Sequence, residues 1–126
     1  MEKRITIKVI PHNEQQYETC GNYRYDGDSW LIEVSDMDNW KYEMLIALHE
    51  FVELLLVRDR EIPLEIITDF DMKFEKKRKK GNTDEPGDDK NSPYRKEHKF
   101  ATKIEKMMAK ELKVNWNKYD KKVMSL

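Results

Sequence analysis

Leu45-Ile46-Ala47-Leu48-His49-Glu50-Phe51-Val52-Glu53-Leu54-Leu55-Leu56-Val57 is the most apolar stretch of the chain, and only His49, Glu50 and Glu53 interrupt it. A helix that is hydrophobic on nearly every side is buried on nearly every side. The stretch therefore predicts a central helix that takes its three ionisable groups inside. His49 and Glu53 fall at i, i+4 on one face, and Glu50 lies beside Glu53 at i, i+3. A buried carboxylate is costly unless a charge or hydrogen-bond donor meets it, and the partner this pattern calls for is a metal ion.

On the N-terminal side, residues 4–10 alternate, with Ile5, Ile7 and Val9 on one face and Arg4, Thr6 and Lys8 on the other. This is the period of a half-buried strand, and Pro11 ends it. Residues 22–25 and 29–34 flank Asp26-Gly27, a dipeptide suited to a type I′ hairpin turn. A small antiparallel sheet of about three strands follows from these runs. Residues 35–39 are rich in N-cap side chains, and helical patterning runs from Trp40 to about Arg60.

On the C-terminal side, Pro63 suits the first turn of a second helix, with Ile66, Ile67, Phe70 and Phe74 as its inward stripe and Asp71 bordering it. The run Lys76–Lys80 and Gly81 end that helix. Residues 82–93 hold two prolines, a glycine and the acids Asp84, Glu85, Asp88 and Asp89, and read as an acidic loop of functional length. A third helix is expected from Tyr94 to about Leu112, with Ala101, Ile104, Met108 and Leu112 inward and His98 and Glu105 along the edge of that stripe. In the tail, Trp116 and Tyr119 should dock on the core while residues 120–126 fray. The expectation is one α+β domain over residues 1–126, mainly strand over 1–36 and mainly helix over 37–126.

Composition narrows the function classes. The 126 residues carry 24 basic and 25 acidic side chains, so net charge gives no reason to expect nucleic acid or an anionic membrane. The single cysteine, Cys20, excludes an internal disulfide and any multi-cysteine zinc site. The first ten residues lack the continuous apolar core of a secretory signal. The apolar run around His49 is too short to span a bilayer. A soluble, cytoplasmic protein is expected. The glycines are scattered, without a phosphate loop or nucleophile elbow, and the acidic loop lacks the EF-hand register.

Zinc takes imidazole and carboxylate ligands, commonly three from the protein with one position left for water. His49 and Glu53 can approach one ion together, and His98 is the expected third ligand because it borders a core-facing stripe. Asp71 is a fourth candidate. Glu50 is then left free beside an activated water, the position of a general base.

His49-Glu50-Phe51-Val52-Glu53 resembles the H-E-x-x-H helix of zincin metallopeptidases, in which two histidines bind zinc and the glutamate activates water. The resemblance implies His49 as ligand and Glu50 as base, with the strand containing residues 30–34 as the edge along which a peptide substrate lies. Glu53 stands where that family has its second histidine. The whole chain is also similar to small uncharacterised proteins of bacteria and phages. These pair an L-H-E-x-x-E helix with a Glu-Pro-Gly-Asp loop (here Glu85–Asp88), Pro93-Tyr94 and His98, which implies that the loop and His98 share a site with His49.

These readings make the chain a divalent-metal protein, with zinc as the expected ion, and a hydrolase of peptide or amide bonds. Two alternatives compete. Glu50-x-x-Glu53 resembles half of the magnesium site of all-helical nucleotide pyrophosphohydrolases, although no second E-x-x-D pair is found on an opposed helix. A non-enzymatic accessory or interaction protein would use the same polar cluster as a purely structural hydrogen-bonded pair.

Overall fold

Tyr23 and Tyr25 alternate with polar residues, as do Trp30, Ile32 and Val34, and the two runs pair antiparallel with Tyr23 opposite Ile32 and Tyr25 opposite Trp30. The computed structural model describes residues 2–126 and places these runs in strands β2 (Gly21–Asp26) and β3 (Ser29–Ser35), after β1 (Arg4–Ile10). The turn is one residue later than the Asp26-Gly27 expectation. Gly27 and Asp28 form it, with Gly27 at φ +57°, a glycine-first arrangement of the kind found in type II′ hairpins. The side-chain alternation sets this register, because a slip of one residue would turn Ile32 and Val34 away from the core.

The sheet is mixed rather than antiparallel. Its order is β1-β3-β2, and β1 runs parallel to β3 with Ile7 beside Ile32 and Val9 beside Val34. The hairpin commits one edge of β3 to β2, and β1 takes the other. Residues 11–20 then cross over between β1 and β2. The run at residues 30–34 is consequently the central strand, with both edges paired, and cannot serve as the substrate edge expected from sequence. The strand that borders the candidate site is β2.

Helix α1 (Trp40–Asp59) follows the expected boundaries. Asn39 caps it by accepting from the Tyr42 amide at 3.2 Å, and Glu43 reaches back to accept from the Met37 amide at 2.8 Å, so two of the orphan donors before and within the first turn are met. Leu45, Leu54 and Val57 are fully buried. One side of α1 packs on β2 and β3 and another on α3 (Arg95–Glu111). Because α1 covers only β2 and β3, the apolar face of β1 is left uncovered: Ile5, Ile7 and Val9 are 53, 47 and 42 % exposed. The strand expected to be half-buried has its apolar face in the open.

Helix α2 (Leu64–Lys76) buries Ile67 and Asp71, while Ile66 faces outward. Helix α3 is likewise rotated from its expected stripe. Met108 is exposed, and Glu97, His98, Ala101, Glu105 and Ala109 point inward. A fourth helix, α4 (Trp116–Met124), continues where fraying was expected. It is capped by Asn115 and anchored by Tyr119, which is buried, with Val123 and Leu126 packed on the core. Among the described residues the architecture is α+β, with four helices instead of three. Among the described residues, no helix is long and apolar enough to cross a membrane.

Candidate metal centre

Two helices bring the donors together. On α1, one turn separates His49 from Glu53. On α3, His98, Ala101, Glu105 and Ala109 share one face, and the two alanines let α3 lie close enough to α1 for the polar side chains to meet. The Nε2 of His49 lies 2.8 Å from Glu53 Oε2 and 3.2 Å from His98 Nδ1, and His98 Nδ1 lies 3.0 Å from the same Glu53 oxygen. All three residues are buried. Two donors four positions apart on α1 and a third 45 to 49 positions further along the chain thus close a triangle. Neighbouring ligands of a tetrahedral zinc with bonds of ~2.0–2.1 Å stand roughly 3.3 Å apart, so a few tenths of an ångström of expansion would seat an ion among them.

Each imidazole also has a carboxylate at its far nitrogen. His49 Nδ1 lies 2.7 Å from Glu105 Oε1, and the Tyr119 hydroxyl donates to the other oxygen of Glu105. His98 Nε2 lies 2.7 Å from Glu85 Oε2 and 3.6 Å from Asp88 Oδ1. A carboxylate that accepts from the far ring N–H orients a metal-binding histidine and raises its basicity, and Glu105 stands so behind His49, whereas His98 Nε2 makes no hydrogen bond to Glu85. The second oxygen of Glu53 is taken by the Tyr23 hydroxyl at 2.9 Å, which turns Oε2 toward the histidines.

The charges follow from this packing. Burial would raise Glu53, but hydrogen bonds from His49 and His98 outweigh it and hold the carboxyl down at about 2. Burial alone would lower the two imidazoles. Glu105 and Glu53 instead raise His49 well above its ordinary value, and Asp88, Glu53 and Glu85 raise His98. Protons on both facing nitrogens would put two imidazolium N–H groups 3.2 Å apart on a single carboxylate oxygen. A divalent cation held by these three residues would replace both protons and remove that conflict.

Glu50 is on the same helix but outside the triangle. It lines a cleft of about 330 Å3 together with Tyr17, Tyr23, Asp71 and Arg78. Burial and the charge of Glu53 push it up to about 8, against the pull of His49 and His98. Gly21 on β2 makes its position attainable, since a Cβ there would come within 2.7 Å of Glu50 Oε1 and 2.6 Å of Ile46. Asp71 faces the same cleft but is not drawn into the ligand triangle. Its two oxygens accept from Tyr94 at 2.7 Å and Tyr17 at 3.1 Å, and burial pushes it up to about 7.

The structure thus brings together His49, Glu53 and His98, sets Glu50 beside them, and leaves Asp71 in a tyrosine cage. Sequence reasoning did not identify Glu105 as the partner of His49. The available signal was its place on the His98 face, seven residues on, a pattern masked by the more apolar Ile104 and Met108. Nor did it identify Tyr23, Tyr94 and Tyr119, whose hydroxyls each cap a buried carboxylate. A tyrosine in a core-forming pattern reads as packing until its hydroxyl finds a partner. No family model, curated protein or solved structure matches this chain.

Proposed function

We propose that the chain is a divalent-metal-dependent hydrolase of peptide or amide bonds, with zinc held by His49, Glu53 and His98 and with Glu50 as general base. The observation that carries this reading is the convergence of three buried donor atoms, 2.8 to 3.2 Å apart, with Glu105 hydrogen-bonded behind the His49 ring. Two imidazoles and one carboxylate form a donor set of hydrolytic zinc centres. Glu53 replaces the second histidine of the zincin helix, and His98 from α3 restores the balance of neutral and charged ligands.

A bound ion would polarise the substrate carbonyl and make water acidic enough to attack near neutral pH. Glu50 takes the proton of the attacking water and delivers it to the leaving amine nitrogen as the C–N bond breaks. Tyr23 keeps Glu53 turned toward the histidines, and Glu105, held by Tyr119, keeps the His49 ring in place.

The test begins with elemental analysis of protein purified without added metal or an affinity tag. About one zinc per chain in this triangle, and a melting temperature lowered by chelator, are expected. Hydrolysis of a fluorogenic peptide library by the zinc-loaded protein should fall at least about 100-fold in Glu50→Gln with zinc content unchanged. Metal-free protein indifferent to chelator would return the cluster to a structural role. Iron in place of zinc would point to redox chemistry, since two histidines and a carboxylate also suit ferrous iron. Full activity in Glu50→Gln would remove that residue from its role.

A further inference from the structure

We propose that the acidic loop holds a second divalent cation, and that His98 bridges the two ions through its two ring nitrogens. The second seat is made of His98 Nε2, Glu85 Oε2 and Asp88 Oδ1, which lie within 4.8 Å of one another. Its bridge rests on the metal site proposed above, whereas the second seat by itself does not.

The His98 side chain is 7 % exposed, and its Nε2 is buried without a hydrogen-bond partner, although Glu85 Oε2 is only 2.7 Å away. That oxygen stands off the direction in which an N–H would point. Hydrogen-bond partners lie in line with the donor. Two ligands of one ion instead converge on it from the side, so each lies off the other's lone-pair axis. The off-line contact is therefore the arrangement of co-ligands. Asp88 Oδ1, 3.6 Å from the same nitrogen, leaves room for an ion between them.

The loop is built for this contact. Pro86–Asp88 forms a single 3-10 turn whose buried Gly87 packs against the His98 imidazole. A Cβ at Gly87 would come within 2.4 Å of His98 Cγ and 2.5 Å of Nδ1, so only glycine lets the loop close over the ring. The ring and the two carboxylates thereby hold one another in register. The Glu85 and Asp88 side chains are 49 and 54 % exposed, which opens the seat to cations from solvent. His98 Nδ1 meanwhile faces Glu53 and His49. With an ion on each side, the ring gives up its N–H proton to bulk water, and the resulting imidazolate joins the two seats. Oxygen-rich and half exposed, the outer seat should exchange its ion faster than the inner one.

The test titrates metal-stripped full-length protein with zinc by calorimetry, alongside His49→Ala and the isosteric pair Glu85→Gln/Asp88→Asn. Two zinc ions per chain are expected for the native protein and one for each variant. With copper(II) as the probe, the electron-spin resonance signal should grow through the first equivalent and shrink through the second, because an imidazolate bridge couples the two spins. One zinc that is lost in His49→Ala and undisturbed in Glu85→Gln/Asp88→Asn overturns the second seat and leaves the first intact. One zinc that is lost in the loop variant and retained in His49→Ala overturns the first seat and the bridge together. Two ions with an additive copper signal overturn the bridge.

Discussion

His12 and His98 are both imidazoles flanked by acids, yet their nitrogens are treated differently. At His12 each nitrogen has a partner of its own: Nδ1 meets the Ser35 hydroxyl at 2.8 Å, and Nε2 meets Glu18 at 2.9 Å. The Ser35–His12–Glu18 chain has the connectivity of a nucleophile, its base and an orienting acid. Ser35, however, is fully buried, and Gln15 also donates to its hydroxyl at 3.1 Å. No substrate carbonyl can reach it, and the group acts as a clasp that fastens the crossover segment to the end of β3. Around His98 and His49, by contrast, two nitrogens crowd on one oxygen of Glu53. One-to-one pairing completes a structure, while the crowding on Glu53 is what the proposed cation would relieve.

The sharpest way to break this contrast is to remove one histidine from each site. His98→Ala takes away a donor common to both proposed seats, and zinc affinity should fall more than 100-fold in calorimetric titration. His12→Ala should leave zinc affinity unchanged and cost about 1 kcal/mol of stability in urea unfolding, the worth of a partly exposed hydrogen-bonded clasp. Equal zinc binding by the two variants would erase the distinction.

A smaller effect separates the acids behind the rings. Glu105→Gln keeps a hydrogen-bond acceptor for His49 but loses the charge, and zinc affinity should drop about 10- to 100-fold, as for other carboxylates behind metal-bound histidines. Glu18→Gln, behind His12, should not change it. A Glu105→Gln variant with native affinity would reduce Glu105 to a packing group.

The smallest effect concerns Asp71, the acid in the cleft held by tyrosines instead of histidines. Its carboxyl is raised from 3.8 to about 7 chiefly by burial, so folding favours the protonated form. The resulting stability is present in full below pH 3.8 and is lost as pH rises through about 7. Asp71→Asn keeps partners for Tyr17 and Tyr94 and removes the ionisation. Relative to native metal-free protein, the variant should gain about 1 kcal/mol per pH unit between pH 4 and pH 7. Parallel stability curves across that window would show that Asp71 ionises freely in the fold.

Much of α1 was legible because its signals are local. Asn39 supplies a cap, apolar residues fill its faces, and His49 and Glu53 are one turn apart by helix geometry alone. The β2–β3 hairpin was legible for the same reason, from alternation around a glycine turn. The parallel placement of β1 was not, because its alternating pattern is the same in either direction and the choice depends on which edge of β3 the hairpin leaves open. On α3, periodicity selected Ile104 and Met108, yet the inward face is the polar one. Compensation of charge by charge across two helices outweighs the transfer of a methionine from water, and that balance cannot be read from α3 alone.

By itself, the sequence determined a buried helix carrying an imidazole and two acids, since spacing along one helix requires nothing beyond its own turn. Only the tertiary structure decided which of the acids would face His49, that Glu105 would stand behind it, and that the acidic loop would close on His98. Those partners lie 45 to 56 residues from the α1 side chains they meet, and the loop reaches His98 by packing Gly87 against its ring. Convergence over such separations depends on how closely two helices and a loop can approach, which is a property of their packing and not of any one stretch.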